Sequence, residues 1–156
     1  MSFPTLSKNV WLLSIAHIFS FAGASVTFFL GGIIGAQLAP SLSWATLPVA
    51  AMVVGTALGT VPAAMVMSKK GRRFGFIGAS IVASGSALVG AFALWHSHFW
   101  LYGLSCLTLG MSYAFVQHYR FAAAESVPIE LAPKAISAIL LSGVAGAFVG
   151  PNVVEY

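Results

Sequence analysis

The chain has 156 residues, of which 59% are hydrophobic and 6% charged, with a net charge of +4 and a mean hydropathy of +0.95. A soluble domain carries about 25% charged residues, so this composition excludes a water-solvated globule, and so few scattered Lys and Arg exclude a basic nucleic-acid face. The single cysteine, Cys106, excludes an internal disulfide and a cysteine-based zinc cluster.

A helix needs about 20 apolar residues, rising about 1.5 Å each, to cross the hydrocarbon core of a bilayer. Lys8 precedes an apolar stretch far longer than the roughly 7 to 15 residues of a signal-peptide core, which predicts an uncleaved first span over 10–36. Pro40 and Pro48 bracket a polar turn, Ser41 to Thr46. A second span over 47–67 ends at Lys69, Lys70, Arg72 and Arg73, which lipid would not accept cheaply. The third covers 74–94, and a turn with His96, Ser97 and His98 separates it from a fourth over 99–119, closed by Arg120. Residues 121–133, with Glu125, Pro128, Glu130 and Pro133, form a polar connection to a fifth span over 135–156. The fold class is therefore all-α: a polytopic bundle of membrane helices forming a single domain over 1–156, without a soluble domain.

Lys8, the basic quartet, Arg120 and Lys134 all fall on one side of this arrangement, while the opposite loops hold no Lys or Arg. The positive-inside rule makes that side, and the N-terminus, cytoplasmic in the plasma membrane. Trp44, Trp95, Trp100 and Tyr102 are expected at the opposite interface, where amphipathic rings favour headgroup depth. Because lipid gives little hydrophobic drive for helix association, small residues must supply close contact. Gly31 and Gly35, Gly55 and Gly59, and Gly146 and Gly150 each form such a pair on one helix face. Pro151 lacks an N–H and is expected to bend the last helix near Ala147.

The stretch Ser68-Lys-Lys-Gly-Arg-Arg73 resembles the loop signature of the major facilitator superfamily, G-x-x-x-D-[RK]-x-G-R-[RK]. Lys69, Gly71, Arg72 and Arg73 match it, with Ala64 and Ser68 standing at the glycine and acid positions. Gly146-Ala-Phe-Val-Gly150-Pro151 is similar to the opening of that family's G-x-x-x-G-P pattern, with Val154 and Glu155 in place of its closing glycines. In the fourth span Cys106 and Leu109 stand where the family's R-x-x-Q-G pattern has arginine and glutamine. The resemblance implies twelve helices in two halves around a midplane site, of which this chain carries about five as a partial N-terminal half. It implies that the remaining C-terminal helices are partners, together with the lipid bilayer and a small-molecule solute.

Polar groups at membrane depth are the default functional candidates. Ser14, His17, Phe21 and Ser25 share one face by i, i+3, i+7, i+11 spacing, and the resemblance implies that the first helix lines the cavity. His17, roughly 12 Å deep by helical rise, is the candidate for solute or proton contact; a structural hydrogen bond to a neighbouring helix is the competing reading. Tyr113, Gln117 and Arg120 share a face of the fourth helix by i, i+4, i+7 spacing. Tyr113 and Gln117 are candidate cavity residues, while Arg120 joins Ser68, Lys69, Gly71, Arg72, Arg73 and Glu125 as a candidate cytoplasmic gate. Glu155 is expected at the far interface, about 30 Å of rise beyond Ala135. His96 and His98 are too exposed a pair to imply a metal, and no cofactor is expected.

These residues point to secondary active transport of a small solute by alternating access, with protons a candidate coupling ion through His17. A non-transporting assembly protein that packs through its glycine seams is the alternative. An enzyme is not expected, because the sequence offers no nucleophile with a paired base and no paired intramembrane acids.

Overall fold

The computed structural model of the chain describes residues 7–154. These are helical throughout, without strands: α1 (Lys8–Leu38), a short 3-10 turn (Leu42–Trp44), α2 (Leu47–Lys70), α3 (Arg72–Trp95), α4 (Phe99–Val116), α5 (Tyr119–Glu125), a second 3-10 turn (Ile129–Leu131) and α6 (Ala132–Val154). Five segments are long and apolar enough to cross a membrane: Lys8–Leu38, Leu42–Lys70, Arg72–Trp95, Phe99–Glu125 and Ile129–Gly150. The outward faces carry Leu12, Phe19, Leu88 and Phe148 at 67–74% exposure. Apolar surface on that scale suits lipid rather than water, and the chain is a multi-pass membrane protein.

Three boundaries differ from the expectation. The basic quartet is not a loop: α2 runs through Lys70 and α3 begins at Arg72, leaving Gly71 alone as the turn. Lys and Arg are good helix formers whose long stems can reach the headgroups, so the helices continue through them. Gly71 turns at φ 84 and ψ 160, a region essentially restricted to glycine. The fourth span is interrupted at Gln117 and His118, and the connection expected over 121–133 is helical as far as Glu125. Phe115, Val116, His118 and Tyr119 are weak helix formers, whereas Ala122 to Ala124 are the best. The restart is anchored by the His118 carbonyl, which accepts from the N–H groups of Phe121 and Ala122. Helix α6 begins at Ala132 and continues past Pro151, and Glu155 lies outside the described residues.

The chain divides into two compact units, one holding the described residues up to Ser25 and from Gln117 onward, the other Val26–Val116. In the first, α1 as far as Ser25 packs with α5 and α6 around Val10, Ala123, Ala135 and Ile139, each at most 1% exposed. Ser7 and Ser126 approach to 3.4 Å between hydroxyls, which puts the start of α1 beside the α5–α6 connection, the same end as Lys8.

The second unit is built on α2 against α4. A Cβ at Gly55 would overlap the Leu107 carbonyl, one at Gly110 the Met52 carbonyl, and one at Gly59 would lie 2.6 Å from the Met111 carbonyl oxygen. Glycine here allows backbone to touch backbone, which is how helices associate where apolar burial gives little drive. Gly35 does the same against the Ala45 carbonyl, while Gly31 makes room for the Val49 side chain. At the end remote from Gly71, Trp44 and Trp100 meet edge to face at 5.6 Å. Tyr102, two residues past Trp100, is turned about 200° around the helix and is buried.

Candidate functional site

The face of α1 that carries Ser14, His17, Phe21 and Ser25 meets α6. Gly146 lies against the Ile18 carbonyl and the Phe21 Cβ, and Gly150 against Ala22 and the Ser25 Cβ. Gly143, absent from the sequence reading, lies so close that its added Cβ would sit 2.9 Å from His17 Cε1. The seam is thus a three-glycine series on α6, and it leaves just enough room for an imidazole. Ser14 and His17 are buried, while Phe21 and Ser25 are half-buried.

His17 Nδ1 lies 3.1 Å from the Ser142 hydroxyl, and that hydroxyl donates to the Ile139 carbonyl at 2.6 Å. A serine has one hydroxyl hydrogen, and Ile139 takes it. Ser142 therefore accepts from Nδ1–H, and the neutral ring keeps its lone pair on Nε2, a tautomer assigned from the hydrogen-bond network. Phe21 and Tyr119 flank the imidazole with ring centroids at 5.5 and 6.1 Å. Tyr119 is buried and within hydrogen-bonding reach of Ser20. The result is a small aromatic cluster around one oriented imidazole.

Ser142 and Tyr119 were not singled out from the sequence. Ser142 is one of many serines in apolar helices, and most of these bond their own helix, as Ser20, Ser80, Ser84 and Ser137 do to the carbonyl four residues back. Only the rotation of α6 against α1 distinguishes it. Tyr119 was hidden because a continuous fourth helix put Tyr113, Gln117 and Arg120 on one face. With the interruption, Tyr113 is half-buried in α4, Gln117 is exposed in the turn, and Arg120 is exposed in the first turn of α5 with its guanidinium 5.0 Å from the Phe121 ring centre.

The candidate gate residues Ser68, Lys69 and Arg73 are exposed, Arg72 is half-buried, and the Ser68 hydroxyl donates to its own helix at Met65. Glu125 is exposed at the end of α5. Among the described residues no group of three or more His, Cys, Asp or Glu side chains is placed to hold a metal ion.

The chain is 33% identical over 147 residues to a riboflavin transporter, RfnT, of Brucella anthropi. The aligned part is 94% of this chain and 37% of that protein, so the chain spans little more than a third of the relative's length. No family model matches the chain, and no solved structure does.

Proposed function

We propose that the chain forms the first five membrane helices of a secondary transporter of the major facilitator type, working by alternating access on riboflavin or a similar planar heterocycle. The observation that carries this is the 33% identity to the Brucella anthropi riboflavin transporter across 94% of the chain. The Ser68–Arg73 and Gly146–Pro151 motifs support the superfamily. In such transporters the solute site lies near the bilayer midplane between repeats, so further helices of the same transporter complete it.

Within the first unit, the rings of His17, Phe21 and Tyr119 suit a flat heterocycle, and the Nε2 lone pair of His17 suits a ring N–H of the solute or a coupling proton. Ser14, Ser25, Tyr113 and Gln117 are further candidates along the pathway. The basic ends of α2 and α3, with Ser68 and Gly71, are candidates for the cytoplasmic gate, as are Arg120 and Glu125 by their place in the sequence. An exposed ion pair contributes only about 0 to 1 kcal/mol, so such a gate is biased by several contacts rather than held by one. The protein sits in the plasma membrane with its N-terminus cytoplasmic, on the count of Lys and Arg per side.

The test is uptake of labelled riboflavin by riboflavin-auxotrophic bacteria expressing the complete reading frame that contains this chain. Growth on riboflavin levels that fail to support the empty-vector strain is expected. Absence of riboflavin uptake with the protein present in the membrane sinks the solute assignment. Absence of uptake of any heterocycle favours the assembly reading.

A further inference from the structure

The second unit contains a groove that the transport reading does not use. It is a cavity of about 300 Å³ between α2, α3 and α4, bounded by Gly59, Pro62, Val66, Phe74, Gly78 and Phe115 among others. Three features define its chemistry. Its hydroxyls are turned away: Thr108 donates to carbonyls of its own helix at 3.0 and 3.1 Å, and Ser112 donates to the Thr108 carbonyl. The wall left behind is hydrocarbon. Its length runs along the helix axes, since the lining positions Phe74 to Val82 on α3 correspond to about 12 Å of rise. Its volume holds roughly ten groups of about 30 Å³, the share of a water molecule and close to that of a methylene. An apolar slot running along the helix axes, with room for about ten methylenes, has the dimensions of half a fatty acyl chain.

One end of the slot is basic. Phe74 lines it, and the Lys70 ammonium stands 4.8 Å from the Phe74 ring centre. Lys69 and Arg73 are exposed at the same end. No Asp or Glu occurs anywhere from 26 to 116, so this unit supplies no carboxylate to pair with them. Helix α3 starts here without a side-chain cap, because Gly71 has none to offer, and the first turn of a helix attracts anions.

We infer that the α2–α3–α4 groove is a binding site for one anionic phospholipid, with an acyl chain lying along Phe74, Gly78 and Gly59 and the headgroup phosphate held by Lys69, Lys70 and Arg73. The site stands on the unit's own geometry and holds whether or not the protein transports a heterocycle.

The test places the chain in nanodiscs of equal phosphatidylglycerol and phosphatidylcholine with matched acyl chains, and counts the lipids retained after release by native mass spectrometry. Phosphatidylglycerol is expected to be retained in preference, one per chain. Each basic residue near a membrane surface is worth about fivefold in affinity for anionic lipid, so Lys70→Gln should lower the retained ratio by about that factor. A Cβ at Gly78 meets nothing within 4 Å, so Gly78→Leu fills the slot without disturbing its neighbours and should abolish retention. Gly85→Leu, equally unobstructed and outside the slot, should retain lipid as the parent chain does. Excess inorganic phosphate should displace nothing. Equal retention of both lipids, unchanged retention in Gly78→Leu at parental helicity, or displacement by phosphate alone would each overturn the assignment. So would dimers that vanish in Gly78→Leu, which would mean that a second copy fills the groove.

Discussion

His17 on α1 and Ser142 on α6 are joined through Nδ1 and Oγ at 3.1 Å, and the second bond of Ser142, to the Ile139 carbonyl, fixes the direction of the first. Removing the hydroxyl strands a buried N–H, at a cost of about 1–3 kcal/mol. Ser142→Ala should lower the thermal stability of the detergent-solubilised chain accordingly. Imidazole nitrogen NMR should find the Nδ1–H tautomer in the parent chain; a dominant Nε2–H tautomer would reverse the assignment.

On the proposed transport of riboflavin, His17→Ala in the complete protein should reduce uptake about fivefold, the equivalent of one hydrogen bond of about 1 kcal/mol, and should flatten its pH dependence. Uptake and pH profile both unchanged would remove His17 from the pathway and leave it a helix-packing residue.

The α2–α4 seam is rigid on both sides, because the atoms facing Gly55 and Gly110 are backbone carbonyls that cannot swing away. Gly55→Ala and Gly110→Ala should each cost about 1–3 kcal/mol as overpacking. Gly85→Ala, in open space, should instead stabilise by roughly 0.5–1 kcal/mol through helix propensity. Denaturant titration of the three variants side by side checks the contrast.

Gly71 makes the whole α2–α3 turn at φ 84. Gly71→Ala should cost about 1–3 kcal/mol for the strained backbone, measured in the same titration. A loss below about 0.5 kcal/mol would mean the turn relaxes to an ordinary conformation.

Sidedness is open to direct measurement. In a Cys106→Ala background, which removes the one native thiol, Ser43→Cys should react with an impermeant maleimide on intact cells, and Ser68→Cys only after permeabilisation. The reverse pattern would invert the topology.

How much of this was legible in the sequence varies by residue. The span limits near Leu47, Phe99 and Trp95 fell where proline, histidine and serine interrupt the apolar runs, and the structure begins or ends helices there. The basic turn misled, because charge marks where lipid ends but not where the helix ends, and Lys and Arg are content in both places. The glycine pairs were visible as pairs, yet their partners were not: Gly55 meets Leu107 while Gly146 meets Phe21, and spacing alone cannot tell a helix which neighbour it will touch. Spacing groups the stripe from Ser14 to Ser25 on one face of α1, but that His17, Phe21 and Ser25 lie against the α6 glycines depends on Gly143, Gly146 and Gly150 being turned toward them.

The sequence by itself determined that this chain lives in lipid and carries five segments long and apolar enough to cross it, because transfer free energy accumulates residue by residue along a helix and needs no knowledge of neighbours. Tertiary structure alone decided that His17 is oriented by Ser142, that Tyr119 flanks it, and that a slot opens beside Gly78. Those relations depend on the rotation of each helix about its own axis, which is set by the packing of many small faces at once and is written in no single stretch of residues.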